Sequence, residues 1–253
     1  MPGRSSDGRV GRSVHRVSPD FCFFHPRDPQ KGPIKSTLNK RAIRVVIAAI
    51  QDAWNDIETF NYWKSSPFEL KHYFDEDELT TKLAEILNDK LSNEGVGGFR
   101  KELFQTVVRD GKQSTATLSS IDQMPDLTFR MIQTAPGEDR DESALFVEAK
   151  LIDATSGCRQ YVVNGLHRFV SGKYAPRMTF GLMLGYATPD FKDICTHLSD
   201  YYVNATSSEA LLCAADVAPS DVHADCFATE HCRAVPCAPD FKALHLWVLR
   251  ATH

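Results

Sequence analysis

Apolar residues recur at helical spacing from Leu38 to Phe60, at positions 43, 46, 47, 50, 54 and 57, which predicts a helix with Ser36 or Thr37 placed to cap it. A second helix is expected over Glu76 to Ser92. Leu79, Leu83, Ile86, Leu87 and Leu91 form its apolar face, and the acids 75–78 crowd its first turn, where they suit the helix dipole. The glycine-rich stretch 95–98 ends it. Three strand candidates follow: Glu102 to Arg109, Asp126 to Ile132, and Ala144 to Leu151 after an acidic turn. In the second of these Leu127, Phe129 and Met131 alternate with Thr128 and Arg130. Cys158 to Tyr174 reads as a helix, Met178 to Ala187 as a buried central strand, Pro189 to Ala205 as another helix, and Lys242 to Arg250 as a final strand. The order α-β-β-β-α-β is that of a mixed sheet with helices on its faces.

Composition narrows the class without naming it. The chain has 253 residues, 42% hydrophobic and 25% charged, an ordinary globular balance with enough length to bury a core. No apolar run approaches the roughly 18 residues of a membrane span. Val45 to Ile50, the longest apolar stretch near the start, is too short for a typical signal-peptide core, so no membrane partner and a cytoplasmic location are expected. The net charge is −4, but residues 1–40 carry eight Lys or Arg against three Asp, leaving −9 for the remainder. Residues 1–37 are therefore expected to form a basic mobile arm, with Phe21 to Phe24 as a small apolar cluster within it, and residues 38–253 a single domain. The seven cysteines are odd in number and are read as reduced thiols. His223, Cys226, His231, Cys232 and Cys237 fall close together but match no common zinc spacing, so buried or loop thiols are the expectation there.

The chemistry sits between the second and third strand candidates. Pro125-Asp126 opens one, and Glu148-Ala149-Lys150 closes the other. Glu148 and Lys150, two apart on a strand, leave the same face. If the strands are neighbours in a meander, Asp126 lies beside Glu148, and two adjacent carboxylates repel unless a cation or proton separates them. Mg²⁺, which prefers oxygen ligands and keeps its waters, is the natural resolution. Lys150 beside it would orient or deprotonate a water and steady developing charge. The alternative is a solvated edge-strand pair with Asp126 as a turn residue after proline. Neither Asp126 nor Lys150 is expected in the packed core.

Pro125, Asp126, Glu148 and Lys150, set in this element order, resemble the PD-(D/E)XK nuclease superfamily over about residues 76–187. The resemblance implies a restriction endonuclease-like αβββαβ core, extended by an N-terminal helix and a C-terminal addition that completes the sheet. It implies a metal-dependent phosphodiester hydrolase in which Asp126 and Glu148 hold Mg²⁺, with Mn²⁺ able to substitute, and Lys150 assists the water. In several branches an acid on the first core helix adds a ligand; Glu78 is the best match, with Glu76 and Glu85 as rivals. The stretch from Tyr161 to Tyr186 is similar to restriction-type nucleases of bacterial defence systems. The implied function is a Mg²⁺-dependent deoxyribonuclease serving anti-phage defence, with DNA as substrate, a partner protein of a defence complex, and a homodimer or larger assembly. On the helix after the signature, basic and aromatic groups suit a phosphate-contacting face, with Gln160 and Arg168 as the substrate contacts. His231 and Arg233 would approach phosphate only if Thr229 to Arg233 were more than a loop ahead of an edge strand. The second reading, from another class, is a non-catalytic nucleic-acid-binding or assembly subunit that keeps the fold.

Overall fold

The first helical stripe becomes α1 (Lys40–Thr59), which buries Ile43, Val46, Ile47, Ile50, Trp54 and Ile57. The structure is a computed structural model and describes residues 38–59, 75–93, 96–110, 124–132, 144–153, 157–175, 178–205, 216–233 and 240–250. The basic arm, the Phe21–Phe24 cluster and the cap candidates Ser36 and Thr37 lie outside these residues. Asn39 caps α1 instead, its Oδ1 accepting from the Ala42 N–H at 2.9 Å. Helix α2 (Glu76–Ser92) is capped by Asp75, which accepts from the Glu78 N–H at 2.8 Å. Its buried Leu79, Leu83, Ile86 and Leu87 share one apolar layer with α1.

Seven strands form one mixed sheet in the order β1-β2-β3-β4-β7-β6-β5. They are β1 (Val108–Arg109), β2 (Leu127–Arg130), β3 (Ala144–Ile152), β4 (Phe180–Ala187), β5 (Ala218–Pro219), β6 (Phe227–His231) and β7 (Phe241–Leu249). β3, β4 and β7 run parallel, and the remaining pairings are antiparallel. The first strand candidate, Glu102 to Arg109, contracts to two residues because the Asn88 side chain takes both the N–H and the C=O of Val107. The final strand β7 is not an edge: it lies between β4 and β6, and that further strand, residues 227–231, takes in Thr229 to His231 of the stretch 229–233 expected as loop.

Alternation along β3 assigns its neighbours. Leu145, Val147 and Ala149 enter the layer under α1 and α2, whereas Ala144, Phe146 and Ile152 enter a second apolar layer on the opposite face. That face is covered by α5 (Ile194–Asn204) and by one continuous helical run after β3. The run comprises α3 (Gly157–Arg159), a π-helical stretch (Gln160–Leu166) and α4 (His167–Val170). The expected helix from Pro189 divides into a short 3₁₀ turn (Pro189–Phe191) and α5, which is capped by Asp193. Tyr161 of the π-helical stretch joins a buried polar chain. Its hydroxyl lies 2.9 Å from His245 Nδ1, while Thr229 Oγ1 lies 2.8 Å from His245 Nε2 and 2.7 Å from His231 Nε2. Among the described residues no helix is long and apolar enough to cross a membrane. Cys158, Cys195, Cys226 and Cys232 are free thiols. Cys22, Cys213 and Cys237 lie outside the described residues.

Candidate active site

Glu148 and Lys150 have the parity of Phe146 and Ile152, so both side chains leave the sheet beneath the π-helical stretch. Gly165 makes that approach possible. A Cβ there would stand 3.3 Å from Lys150 Cγ and 3.4 Å from Glu148 Cγ, leaving no room for a larger residue without movement. β2 pairs with β3 in the register Leu127↔Val147, which sets Asp126 opposite Glu148.

β2 begins at Leu127, so the β3 edge beyond Val147 has no strand partner on that side. Two carboxylates take the exposed backbone donors: Asp126 Oδ2 accepts from the Ala149 N–H at 2.6 Å, and Glu76 Oε2 from the Leu151 N–H at 3.1 Å. The second acid therefore comes from the first residue of α2. Glu76, and not Glu78, is the helix acid at the site. Glu78 lies exposed two positions on, and Glu85 is exposed and paired with Lys82.

Lys150 stands among the three acids. Its Nζ lies 2.5 Å from Glu76 Oε1, 2.9 Å from Glu148 Oε1 and 3.8 Å from Asp126 Oδ2, and donates to the Ala149 carbonyl at 2.5 Å. It is 8% exposed, so the expectation that it avoids the packed interior does not hold; Asp126 is partly buried. Arg168 donates through Nη1 to Glu148 Oε1 at 2.8 Å and to the Tyr174 hydroxyl at 2.7 Å. Tyr174 in turn donates to the Met124 carbonyl at 2.7 Å, just ahead of Pro125-Asp126. Arg168 thus ties the helix to both metal-candidate strands. Gln160 and Asn164 are exposed on the π-helical stretch and hydrogen-bond one another.

Three carboxylates face two cations, and the surplus negative charge falls on the most buried acid. Glu148 is 0% exposed, and burial with the neighbouring Asp126 charge pushes its carboxyl up to about 8. Burial also raises Asp126, against the opposing pull of Lys150. Burial alone would lower the Lys150 ammonium, but Glu148, Asp126 and Glu76 together outweigh it and raise it above its ordinary value. Both cations bind Glu148 through Oε1, leaving Oε2 buried with no hydrogen-bond partner. Raised so far, the Glu148 carboxyl keeps its proton at neutral pH, and a buried carboxyl oxygen without a partner is costly; a hard cation displacing that proton, or a water, is what would satisfy it. Among the described residues no group of three or more His, Cys, Asp or Glu side chains stands arranged to hold a metal ion. Within the acid cluster, Glu148 Oε2 and the Asp126 carboxylate are the donors that fit Mg²⁺.

A cleft of about 730 Å³ opens beside this cluster, lined by Glu76 and Lys150 on one side and by the helix residues Gln160, Asn164, His167 and Arg168 on the other. His231 and Arg233 are not part of it: both are buried, Arg233 donating to the Met178 carbonyl and lying over the Phe241 ring. Among the described residues His223, Cys226, His231 and Cys232 form no metal-holding group, and Cys237 lies outside them. No protein-family model, curated protein or solved structure matches the chain.

Proposed function

We propose that the chain is a Mg²⁺-dependent deoxyribonuclease on a restriction endonuclease-like αβββαβ core, the effector of a bacterial anti-phage defence system. The observation that carries this reading is Glu148 Oε2, buried without a partner beside Asp126 and within reach of the Lys150 ammonium's field. The element order supports it: α2, the antiparallel β1-β2-β3 meander, the helical run, then β4 parallel to β3. When bound, Mg²⁺ (or Mn²⁺) would lower the pKa of a water and offset charge on the phosphate. Asp126 and Glu148 would hold it, with Glu76 as the further acid in the place assigned to Glu78. Lys150, kept charged by three acids, orients a nucleophile and counters developing charge; an ammonium held so firmly does not take up a proton. Arg168 fixes the rotamer of Glu148 and leaves Oε2 as its open oxygen.

The test is cleavage of plasmid, single-stranded DNA and RNA by purified protein with Mg²⁺, Mn²⁺ or EDTA. Asp126→Asn is the informative variant, because the amide oxygen still accepts from Ala149 N–H and the strand edge stays satisfied. Cleavage should need the metal and fall by about two orders of magnitude or more in the variant. Undiminished cutting in EDTA, or by Asp126→Asn, refutes the reading. One site cuts one strand, so concerted double-strand breaks would come from a homodimer or larger assembly. A non-catalytic nucleic-acid-binding subunit is the second reading, favoured by the Lys150 ammonium standing where a cation would otherwise neutralise the acids. It predicts DNA binding, alone or with a partner protein, and no metal-dependent cleavage.

A further inference from the structure

The hydrogen-bonding capacity of the cleft is unevenly spent. Four basic side chains line it: Lys150, His167, Arg168 and Lys173. Lys150 and Arg168 are committed to carboxylates, and Gln160 and Asn164 to one another. Arg109, close by on β1, is held by Asp77 and Thr81 of α2. Among the described residues the side chains of His167 and Lys173 make no hydrogen bond or ion pair, and the Nδ1 of His167 is buried without a partner. Lys173 is exposed; burial, and then the nearby Lys173 charge, hold His167 below the ordinary histidine value. At neutral pH this corner of the cleft offers a neutral imidazole and a free ammonium, with no carboxylate of its own. Arg168, adjacent to His167 in the chain, is the cation that binds Glu148 of the acid cluster.

We propose that His167 and Lys173 form a seat for a backbone phosphate of the nucleic-acid strand, one that positions the strand in the cleft beside the acid cluster. This rests on the nuclease reading, and it adds to Gln160 and Arg168 two further basic residues of the same phosphate-contacting stretch. An unpaired ammonium supplies the charge that phosphate attracts, and an imidazole N–H supplies a directed donor. Gln160 and Asn164, four apart on the helical run, pair with one another, while His167 at the start of α4 and Lys173 in the turn after it both line the cleft.

The experiment is binding of a short labelled single-stranded oligodeoxynucleotide to the full chain by fluorescence anisotropy, in Ca²⁺ to prevent turnover, over a range of salt concentrations. Lys173→Ala should weaken binding roughly three- to tenfold at low salt and flatten the slope of log K against log[salt] by about 0.7 to 0.9. Lys173→Arg should restore both. His167→Ala should cost about fivefold, near one net hydrogen bond, and leave the slope nearly unchanged. Lys101→Ala, exposed and outside the cleft lining, is the control. Competition by inorganic phosphate at concentrations well below those needed to screen charge would assign the seat to a free anion and overturn the strand assignment. If Lys173→Ala and His167→Ala bind as Lys101→Ala does while the unmodified protein still cleaves with Mg²⁺, the seat is wrong and the nuclease reading stands. If the unmodified protein neither binds nor cleaves the strand, the nuclease reading fails and takes the seat with it.

Discussion

Gly165→Ala sets two known magnitudes against each other at the one glycine that touches the acid cluster. Exchanging glycine for alanine inside a helix stabilises it by about 1 kcal/mol, since the unfolded chain loses freedom and the helix gains none to lose. Against this, the new Cβ would stand 2.6 Å from Met183 Cε, 3.3 Å from Lys150 Cγ and 3.4 Å from Glu148 Cγ. Met183 is fully buried, so its methyl can rotate away only by pressing on other core atoms. Overpacking of this kind costs roughly 1–3 kcal/mol. The net expectation is a loss of up to about 2 kcal/mol, a fall of some degrees in Tm for a chain of this size. Cleavage should suffer more than folding, because the same methyl pushes the stems of Lys150 and Glu148 by a few tenths of an ångström. A displacement of that order at reacting groups costs roughly ten- to a hundredfold in rate. The assay pairs thermal melting with cleavage at a temperature where both proteins are fully folded. A double-mutant cycle with Met183→Ala isolates the clash, since truncating Met183 should let Gly165→Ala become neutral or stabilising. A Gly165→Ala protein that melts above the unmodified chain and cleaves normally would refute the packing of the helical run on Glu148 and Lys150.

Glu76→Gln keeps an acceptor for the Leu151 N–H but removes a charge beside Lys150, so metal affinity by Mn²⁺ or Ca²⁺ titration and cleavage should both fall about tenfold or more, while Glu78→Gln should change neither. His245 gives the pH prediction: burial first, then His231, lowers it from 6.5 to about 3, so the folded protein holds it neutral while the unfolded chain protonates. Stability from this group is therefore intact above pH 6.5 and lost as pH falls toward 3, at up to about 1.4 kcal/mol per unit. Urea denaturation at several pH values should show that slope, and His245→Gln should flatten it; an unchanged slope would contradict the buried neutral imidazole.

Much of the site was legible because it depends on parity and register. Period-two alternation put Glu148 and Lys150 on one face, and a meander of the second and third strands set Asp126 opposite Glu148, as the Leu127↔Val147 register has it. The choice of helix acid was also open to pattern. Glu76 lies three residues before Leu79 and seven before Leu83, on the buried stripe, whereas Glu78 lies far around the helix. The inward turn of Arg168 was not legible, because reading residues 158–174 at 100° per residue misplaces side chains beyond a π-helical stretch. Strand β6 was missed because Phe227–His231 mixes polar and apolar residues, and two of its polar members, Thr229 and His231, are buried with hydrogen-bond partners that include His245 of β7 and each other. The brevity of β1 follows from a tertiary contact of Asn88 that no local pattern announces.

The acid cluster follows from where β2 starts. Pro125 has no N–H to give a ladder, and β2 begins only at Leu127, while β3 continues to Ile152. An edge of this kind leaves backbone donors on β3 that must be satisfied or hydrated. Carboxylates are the strongest acceptors available for them, and Asp126 and Glu76 are both within reach. Each acid is thereby held by a backbone N–H of rigid sheet, so its position is set without help from a bound ion. Glu148 differs: it sits mid-strand, receives no backbone donor, and relies on Lys150 and Arg168 through a single oxygen. Of the three acids it is therefore the one whose charge the protein leaves least compensated, and its bare oxygen is where an added divalent cation would gain most. On this argument metal affinity should be governed chiefly by Glu148, with Asp126 and Glu76 setting geometry, because only Glu148 holds an electrostatic debt that the fold has not already met.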